Sequence, residues 1–335
     1  MAKIAGVSRA AVSVVLNGAK TNTRVSEQTK QRILAAAAEL GYSPNPVAQS
    51  LRRRRSGTIA YVYRSLSDSL LERSVPYQLG RLIMSTAVGH GYQVIEVNSA
   101  EQTSTEDDET LRLLLSRRVN GVILGWPKTG LEVQRIVDQG IPVVQVMKPQ
   151  PADGSSTITV DSSPGFKAAV DHLVSFGHER IAYLGNSDPH PVERARLRCF
   201  EEALATHGIR LRENLVKLGD VSLEESRQLT HDLLAASEPP SALIMVDSSV
   251  LGGLRALYDL RLHVPDDVAV ISTDDLLASH LYPPLTSVVQ PLEQVAERAV
   301  SLIGEREANS DGAESPSHIV FPTLMRTRSS VEKFS

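Results

Sequence analysis

The chain of 335 residues contains one cysteine and one tryptophan, and aromatic side chains make up only 4% of it. A single thiol, Cys199, excludes an internal disulfide framework. Its place in Arg196-Leu197-Arg198-Cys199-Phe200-Glu201 reads as a packed position on a helix. No apolar run approaches the roughly 18 residues of a membrane span, and no basic stretch followed by an apolar one marks an export signal. The expected location is the cytosol, with no membrane partner. Signatures of several enzyme classes are missing as well. There is no GxxxxGK[ST] phosphate loop, no GxSxG elbow and no HExxH zinc helix, and Gly89-His90-Gly91 begins a GxGxxG pattern that Val94 breaks. The nine histidines are scattered, and His178 after Gly177 reads as a helix end. No enzyme activity, metal or cofactor is expected; an α/β enzyme is the competing class, which turnover of a nucleotide or sugar would reveal.

What is present is a lopsided charge. Residues 1–56 hold ten Lys or Arg against two acids, a balance of +8, whereas the whole chain carries −4 and the remainder therefore −12. A basic head on an acidic body is the pattern of a duplex-binding protein, because neutralised phosphates supply most non-specific affinity. The head also carries a helix-turn-helix pattern. Gly6 permits a bend, Ser8 can cap a helix starting at Arg9, and at about 100° per residue Val12, Val15 and Leu16 fall on one face. Ala10, Ser13, Val14 and Asn17 fall on the other, free to read. A following helix is expected from the Ser26 cap through Glu27, with Ile33, Ala37 and Leu40 at core spacing and Gly41 as its stop.

Next comes Ser43-Pro44-Asn45-Pro46-Val47-Ala48-Gln49-Ser50-Leu51-Arg52, whose prolines suit the start of a short helix and whose Ala48 and Leu51 lie one turn apart. So short a helix is marginal alone. A small residue with a leucine wedge suits minor-groove insertion, and Arg52 to Arg55 can reach phosphates.

At this point the chain resembles the lactose-repressor (LacI/GalR) family of bacterial transcription regulators, through AGVSRAAVSVVLNG at 5–18 and VSEQTKQRILAAAAELGYSPNPVAQSLRRRRSGTIA at 25–60. The resemblance implies DNA contacts from Ser8, Arg9, Ala10, Ser13, Val14 and Asn17, from Ala48 and Arg52, and from Leu51 as the intercalating hinge leucine. Two departures stand out. Met1 occupies a position where the family has Val, leaving the first helix about one turn, so a native start upstream of Met1 is expected. Val14 replaces a residue that often reaches a base, which makes Arg9 the candidate for a bidentate guanine contact and leaves Val14 an apolar contact such as a thymine methyl.

Beyond Gly57, strand and helix patterns alternate. Strands are expected at 58–63, 92–97, 121–124, 143–147, 157–160, 180–184, 215–218, 242–246, 268–272, 286–289 and 319–321, with helical stretches of crossover length between most of them. Eleven strands are too many for one sheet of this length, so two lobes follow, each a doubly wound parallel sheet. The expected class is thus α/β: an all-α helix-turn-helix head over 1–45, a hinge helix and linker over 46–57, and a two-lobed body over 58–335. The resemblance implies the type I periplasmic-binding-protein fold, crossed three times, with an N-lobe at about 58–148 plus 277–308 and a C-lobe at about 149–276 plus 309–330. The acidic run Glu106 to Glu109 reads as a helix start capped by Thr105.

The resemblance also implies an effector cleft. Arg196 matches the family's effector-binding arginine, Asp274 the usual hydroxyl acceptor with Thr273 replacing an aromatic, and Asp161, Asp247, Val246 and Tyr282 hold motif positions; Trp126 ends a strand where it could stack on a ligand. Val246 stands for a frequent Asn and Met147 for a crossover Asp, losses that weaken the case for a common hexose. Lys148 beside Met147, with Arg196, could suit a phosphorylated ligand instead. The implied protein is a homodimeric repressor on a pseudo-palindromic double-stranded DNA operator, tuned by a sugar-like or phosphorylated small molecule. A dimeric regulator without an effector is the alternative. No leucine heptads follow Arg326, so no tetramerising tail is expected.

Overall fold

The structure, a computed structural model, describes residues 1–17, 25–42, 56–63, 75–98, 104–117, 119–125, 133–147, 154–187, 191–220, 222–308 and 316–332. The hinge positions Ala48, Leu51 and Arg52, and also Trp126 and Lys148, lie outside the described residues.

Among the described residues, three helices make the head. The single turn of α1 (Ala2–Ala5) ends at Gly6, whose φ of 60° is left-handed and unfavourable for any residue with a Cβ. The guanidinium of Arg32 packs over Gly6 and donates to the Ala5 carbonyl. Helix α2 (Arg9–Asn17) is capped by Ser8, whose Oγ accepts from the Ala11 N–H at 3.1 Å. Helix α3 (Glu27–Glu39) is capped by Ser26, whose Oγ accepts from the Thr29 N–H at 3.3 Å. Both caps follow the sequence reading. Ala5, Ala11, Ile33 and Ala36 form the buried centre, with Val7, Val12, Val15, Leu16 and Val25 packed around it. Leu40 corrects the expected core, because it is 50% exposed while Ala36 joins Ile33 and Ala37 inside. Helix α3 stops at Glu39 and the chain turns at Gly41, so no described part of the head covers that last turn.

The body contains two six-stranded sheets. The first joins β1 (Thr58–Tyr63), β2 (Gln93–Asn98), β3 (Gly121–Gly125), β4 (Val143–Val146), β5 (Ser156–Asp161) and β11 (His318–Pro322) in the order β11-β5-β4-β3-β1-β2, all parallel. The second joins β6 (Ile181–Asn186), β7 (Val216–Gly219), β8 (Ala242–Met245), β9 (Ala269–Asp274), β10 (Thr286–Val289) and β12 (Leu324–Arg326) in the order β12-β10-β9-β8-β6-β7. Only the β10–β12 pairing is antiparallel, and β12 is a strand the sequence reading lacked. Both faces of each sheet are covered, as parallel sheets require. Along β1, Ile59 and Tyr61 enter the core beneath α4 (Val75–Gly89) and α11 (Leu292–Ala308), whereas Ala60 and Val62 enter the core beneath α5 (Ser104–Arg117) and α6 (Val133–Val137). In the second sheet, Ile181 and Tyr183 face α7 (Ser163–Ser175) and α8 (Pro191–Ala205), and Ala182 and Leu184 face α9 (Leu223–Leu234) and α10 (Asp247–Asp259).

Sheet membership corrects the expected lobe limits. Strands β5 and β11 belong to the first sheet and β10 to the second, so the chain crosses at 161–163, at 289–292 and at 322–324. Period and propensity mark a strand but carry no record of its neighbour, which the register of β5 on β4 and β11 decides. Two crossings are tied together, since Thr323 donates through both its N–H and its Oγ1 to the Asp161 carbonyl, at 2.9 and 3.0 Å. A smaller correction concerns α5, which begins at Ser104, so Thr105 lies in its first turn rather than capping it. His178 ends α7 as read: its N–H donates to the Leu173 carbonyl, and its buried ring is held by Ser241 and the Glu332 carbonyl.

Candidate functional site

On the head, Arg9 and Ala10 are exposed on the outer side of α2, while Ser13 and Val14 are half-buried. Ser8 stays exposed although its oxygen is engaged as the cap. Asn17 closes the helix. Of the face read as free, Ala10 is exposed beside Arg9 while Ser13 and Val14 are as half-buried as Val12 and Val15, which pack toward α3.

In the body, the carboxyl ends of the strands meet the crossings, where parallel α/β sheets place their ligands. Arg196, on the second turn of α8, is buried and forks onto Asp274 at the end of β9, with Nη1 to Oδ2 at 3.3 Å and Nη2 bonded to Oδ1. Glu193, one turn earlier, lies 3.5 Å from the same guanidinium. Gln290, at the second crossing, donates from Nε2 to Asp274 Oδ1 at 2.6 Å. Burial works against the charge on Arg196, but Asp274 and Glu193 outweigh it and hold its pKa above the ordinary value. The guanidinium is therefore matched by carboxylates and offers no surplus positive charge.

The predicted residues separate here. Arg196 and Asp274 are brought together. Asp161, at the first crossing, accepts from the Ser163 N–H at 2.9 Å and lines a cavity of about 150 Å³ with Met147, Arg198 and Gln290, whereas Arg196 and Asp274 do not line it and reach it only through Gln290. Val246 does not line that cavity, because it packs in the core beneath α8 at the start of α10. Tyr282 is 97% exposed and is likewise absent from the lining. Asp247 serves the fold: its Oδ2 accepts the N–H groups of Leu276 and Leu277 at 2.7 and 3.1 Å and holds the loop beyond β9. Burial, with the nearby Asp274 charge, pushes its carboxyl up to about 7. Asp275 also serves the fold, accepting from Arg326 at 2.6 Å and Arg328 at 3.0 Å and so pinning β12. Both Asp274 and Asp275 have left-handed φ, 78° and 61°, which turns their carboxylates apart onto these two tasks.

Sequence reasoning missed Gln290, Glu193 and the cavity face of Cys199. Gln290 stands before Pro291 and carries no motif, and Glu193 is an acid in the first turn of α8 with nothing local to set it apart. Cys199 was rightly read as packed, yet its Sγ sits 3.4 Å from Ser163 Oγ on the cavity wall. Burial raises its pKa, with the Ser163 hydrogen bond opposing, so the thiol stays protonated at neutral pH.

A helix-turn-helix head and a two-sheet body with a polar cluster at its crossings define a DNA-binding transcription regulator with a periplasmic-binding-protein-like body. Comparison with known proteins agrees: residues 1–45 match bacterial regulatory proteins of the lacI family, and residues 170–331 match the periplasmic binding protein-like domain. The HTH-type transcriptional regulator CelR of Thermobifida fusca is 30% identical over 340 residues, covering 98% of this chain and 96% of that one. The solved complex of transcriptional regulator CelR with cellobiose is 29% identical, covers 98% of each chain and superposes with a TM-score of 0.72. The lac repressor dimer bound to operator and the anti-inducer ONPF is 26% identical, covers 99% of this chain and 97% of that one, and gives a TM-score of 0.79. The chain belongs to the LacI family.

Proposed function

We propose that this protein is a homodimeric repressor that binds a pseudo-palindromic operator and is tuned by a neutral, hydroxylated small molecule held between its lobes. The observation that carries the effector half is the Arg196–Asp274–Gln290 cluster. Arg196, Asp274 and Gln290 bond one another while Gln290 Oε1 is buried without a partner among the described residues, and such a cluster can trade internal partners for ligand hydroxyls. Arg196 is balanced by Asp274 and Glu193, and Arg198 on the cavity wall lies 3.7 Å from Glu202, so among the described residues each cation there already has a carboxylate, which favours a neutral sugar-like ligand over a phosphorylated one. On the head, Arg9 is the base-reading candidate, and the sequence gives Leu51 the wedge role at the centre of the operator. The CelR and lac repressor complexes, one with a sugar and one a dimer on its operator, support both halves by kinship.

A route between the halves is available along α11. Gln290 stands just before this helix and touches Asp274; at its far end Glu307 accepts from Tyr92 Oη and Asn120 Nδ2. Asn120 Oδ1 in turn accepts from Ser56 Oγ at 2.8 Å and from the Thr58 N–H at 3.0 Å, at the residues that follow the linker. The 17 residues of α11 span about 25 Å as a rigid rod. A ligand that displaces Gln290 would thereby move the anchor of the head, and coupling of this kind is worth about 1–3 kcal/mol in either direction.

Selection of bound fragments from genomic DNA, followed by calorimetric titration with neutral sugars and their phosphates, tests the reading. The expected result is one enriched palindromic site whose affinity shifts with a neutral ligand. Binding that never discriminates any genomic site from bulk duplex would sink it, and preference for a phosphate ester would reject the effector class.

A further inference from the structure

We infer that the interlobe cavity selects a ligand that is apolar along one edge, a hydroxylated ring in which a deoxy carbon or a small aglycone stands where a common hexose carries a hydroxyl. This rests on the cavity being the effector site. Its lining has a continuous apolar side. Val192, Ala195 and Cys199 recur at three- and four-residue steps and so form one stripe of α8, and Met147 joins them from the end of β4. The polar lining comes mainly from the end of β5 and the crossings, with Thr159, Asp161, Ser163 and Gln290, and α8 adds Arg198, whose side chain is 70% exposed.

Met147 marks the apolar side most firmly. It is 4% exposed and its φ is 64°, a conformation that costs a non-glycine residue energy and that persists where the surroundings impose it. Its N–H donates to the Ile158 carbonyl at 2.8 Å, which holds the backbone in that turn and leaves a thioether at a strand end where a polar residue would greet hydroxyls. Cys199, kept as a neutral thiol by its burial, behaves as a small apolar group. The cavity, about 150 Å³, matches the size that admits a single six-membered ring.

Cys199 is the chain's only cysteine, so the rate of labelling by N-ethylmaleimide reports this wall alone. The probes are 6-deoxy-D-galactose against D-galactose, methyl β-D-glucopyranoside against D-glucose, and isopropanol against glycerol, with glutathione labelling as the solvent control. Burial of one methyl group predicts that the apolar-edged member slows labelling at about fourfold lower concentration than its partner. The first pair tests a deoxy carbon and the second an aglycone; a preference in either, together with isopropanol over glycerol, supports the inference. Equal protection throughout, or stronger protection by the more hydroxylated members, overturns it. Met147→Asn should erase the preference, its folding checked by circular dichroism and unfolding midpoint, while the wild-type comparisons stand without it. A compound that alters operator binding yet shows no such edge preference defeats this inference and leaves the regulator standing. Failure of every DNA assay does the reverse.

Discussion

The head and the body bury apolar surface on different scales. Around Ile33 the head assembles three alanines, and Ile4, Leu34, Leu40 and Tyr42 remain exposed on it. The body instead covers both faces of two sheets with Leu, Ile, Val and Phe, and its cores hold long side chains at essentially zero exposure. Because stabilisation scales with apolar area removed from water, a unit as small as the head is marginal and the body is not. Their polar groups differ in the same sense: the head leaves Ser8 and Arg9 exposed, whereas the body buries Arg196, Asp274 and Glu193 and pairs them with one another.

The contrast is broken most severely at Arg196. Arg196→Ala leaves Asp274 and Glu193 buried without their cation and is expected to destabilise the body by about 3–5 kcal/mol, read from urea unfolding, with the head unaffected. An unchanged midpoint would mean the cluster is far wetter than its burial implies. In the head, Ile33→Ala should cost about 2–5 kcal/mol, enough to unfold this unit and abolish DNA binding while the body's transition stays in place. A joint loss of both transitions would show that head and body fold as one.

Asp247 sharpens the comparison through pH. Its carboxyl is ordinary when unfolded, near 3.8, and raised to about 7 when folded, so the folded body holds the proton more tightly. Its stabilising contribution is complete below about pH 4 and is lost as pH rises through 7. Asp247→Asn should flatten the body's pH dependence across that window in unfolding at pH 5, 6 and 7.5; an unaltered slope would assign the dependence to another group. Ser26→Ala removes the α3 cap and should cost about 1 kcal/mol, visible as faster amide exchange in the first turn of that helix. The smallest effect is expected for Arg198→Ala, which breaks an exposed pair with Glu202 worth at most about 1 kcal/mol. A loss comparable to that of Arg196→Ala would erase the distinction between buried and surface charge.

Much of the head was legible because its signals are local. A glycine that must be left-handed, serines that cap three residues on, and valines at helical spacing act within one or two turns. Strand positions were legible for the same reason, since β1 and β10 occupy the spans read from their patterns. Strand β12 was not, because three residues carry no period and form a strand only against β10. In the cleft, Arg196 and Asp274 were found through resemblance, but nothing local says that they satisfy one another. Val246 and Tyr282 hold family positions in the sequence, yet one is turned into the core and the other out to solvent.

The order of residues alone determined the split of charge between head and body, the serine caps of α2 and α3, and the alternation that requires covered parallel sheets, since each arises from interactions reaching only a few positions along the chain. Tertiary structure decided which sheet receives β5, β10 and β11, and that Gln290 and Glu193 join Arg196 and Asp274. Those choices depend on contacts between segments tens of residues apart, whose energies exist only after both sheets have closed around the crossings.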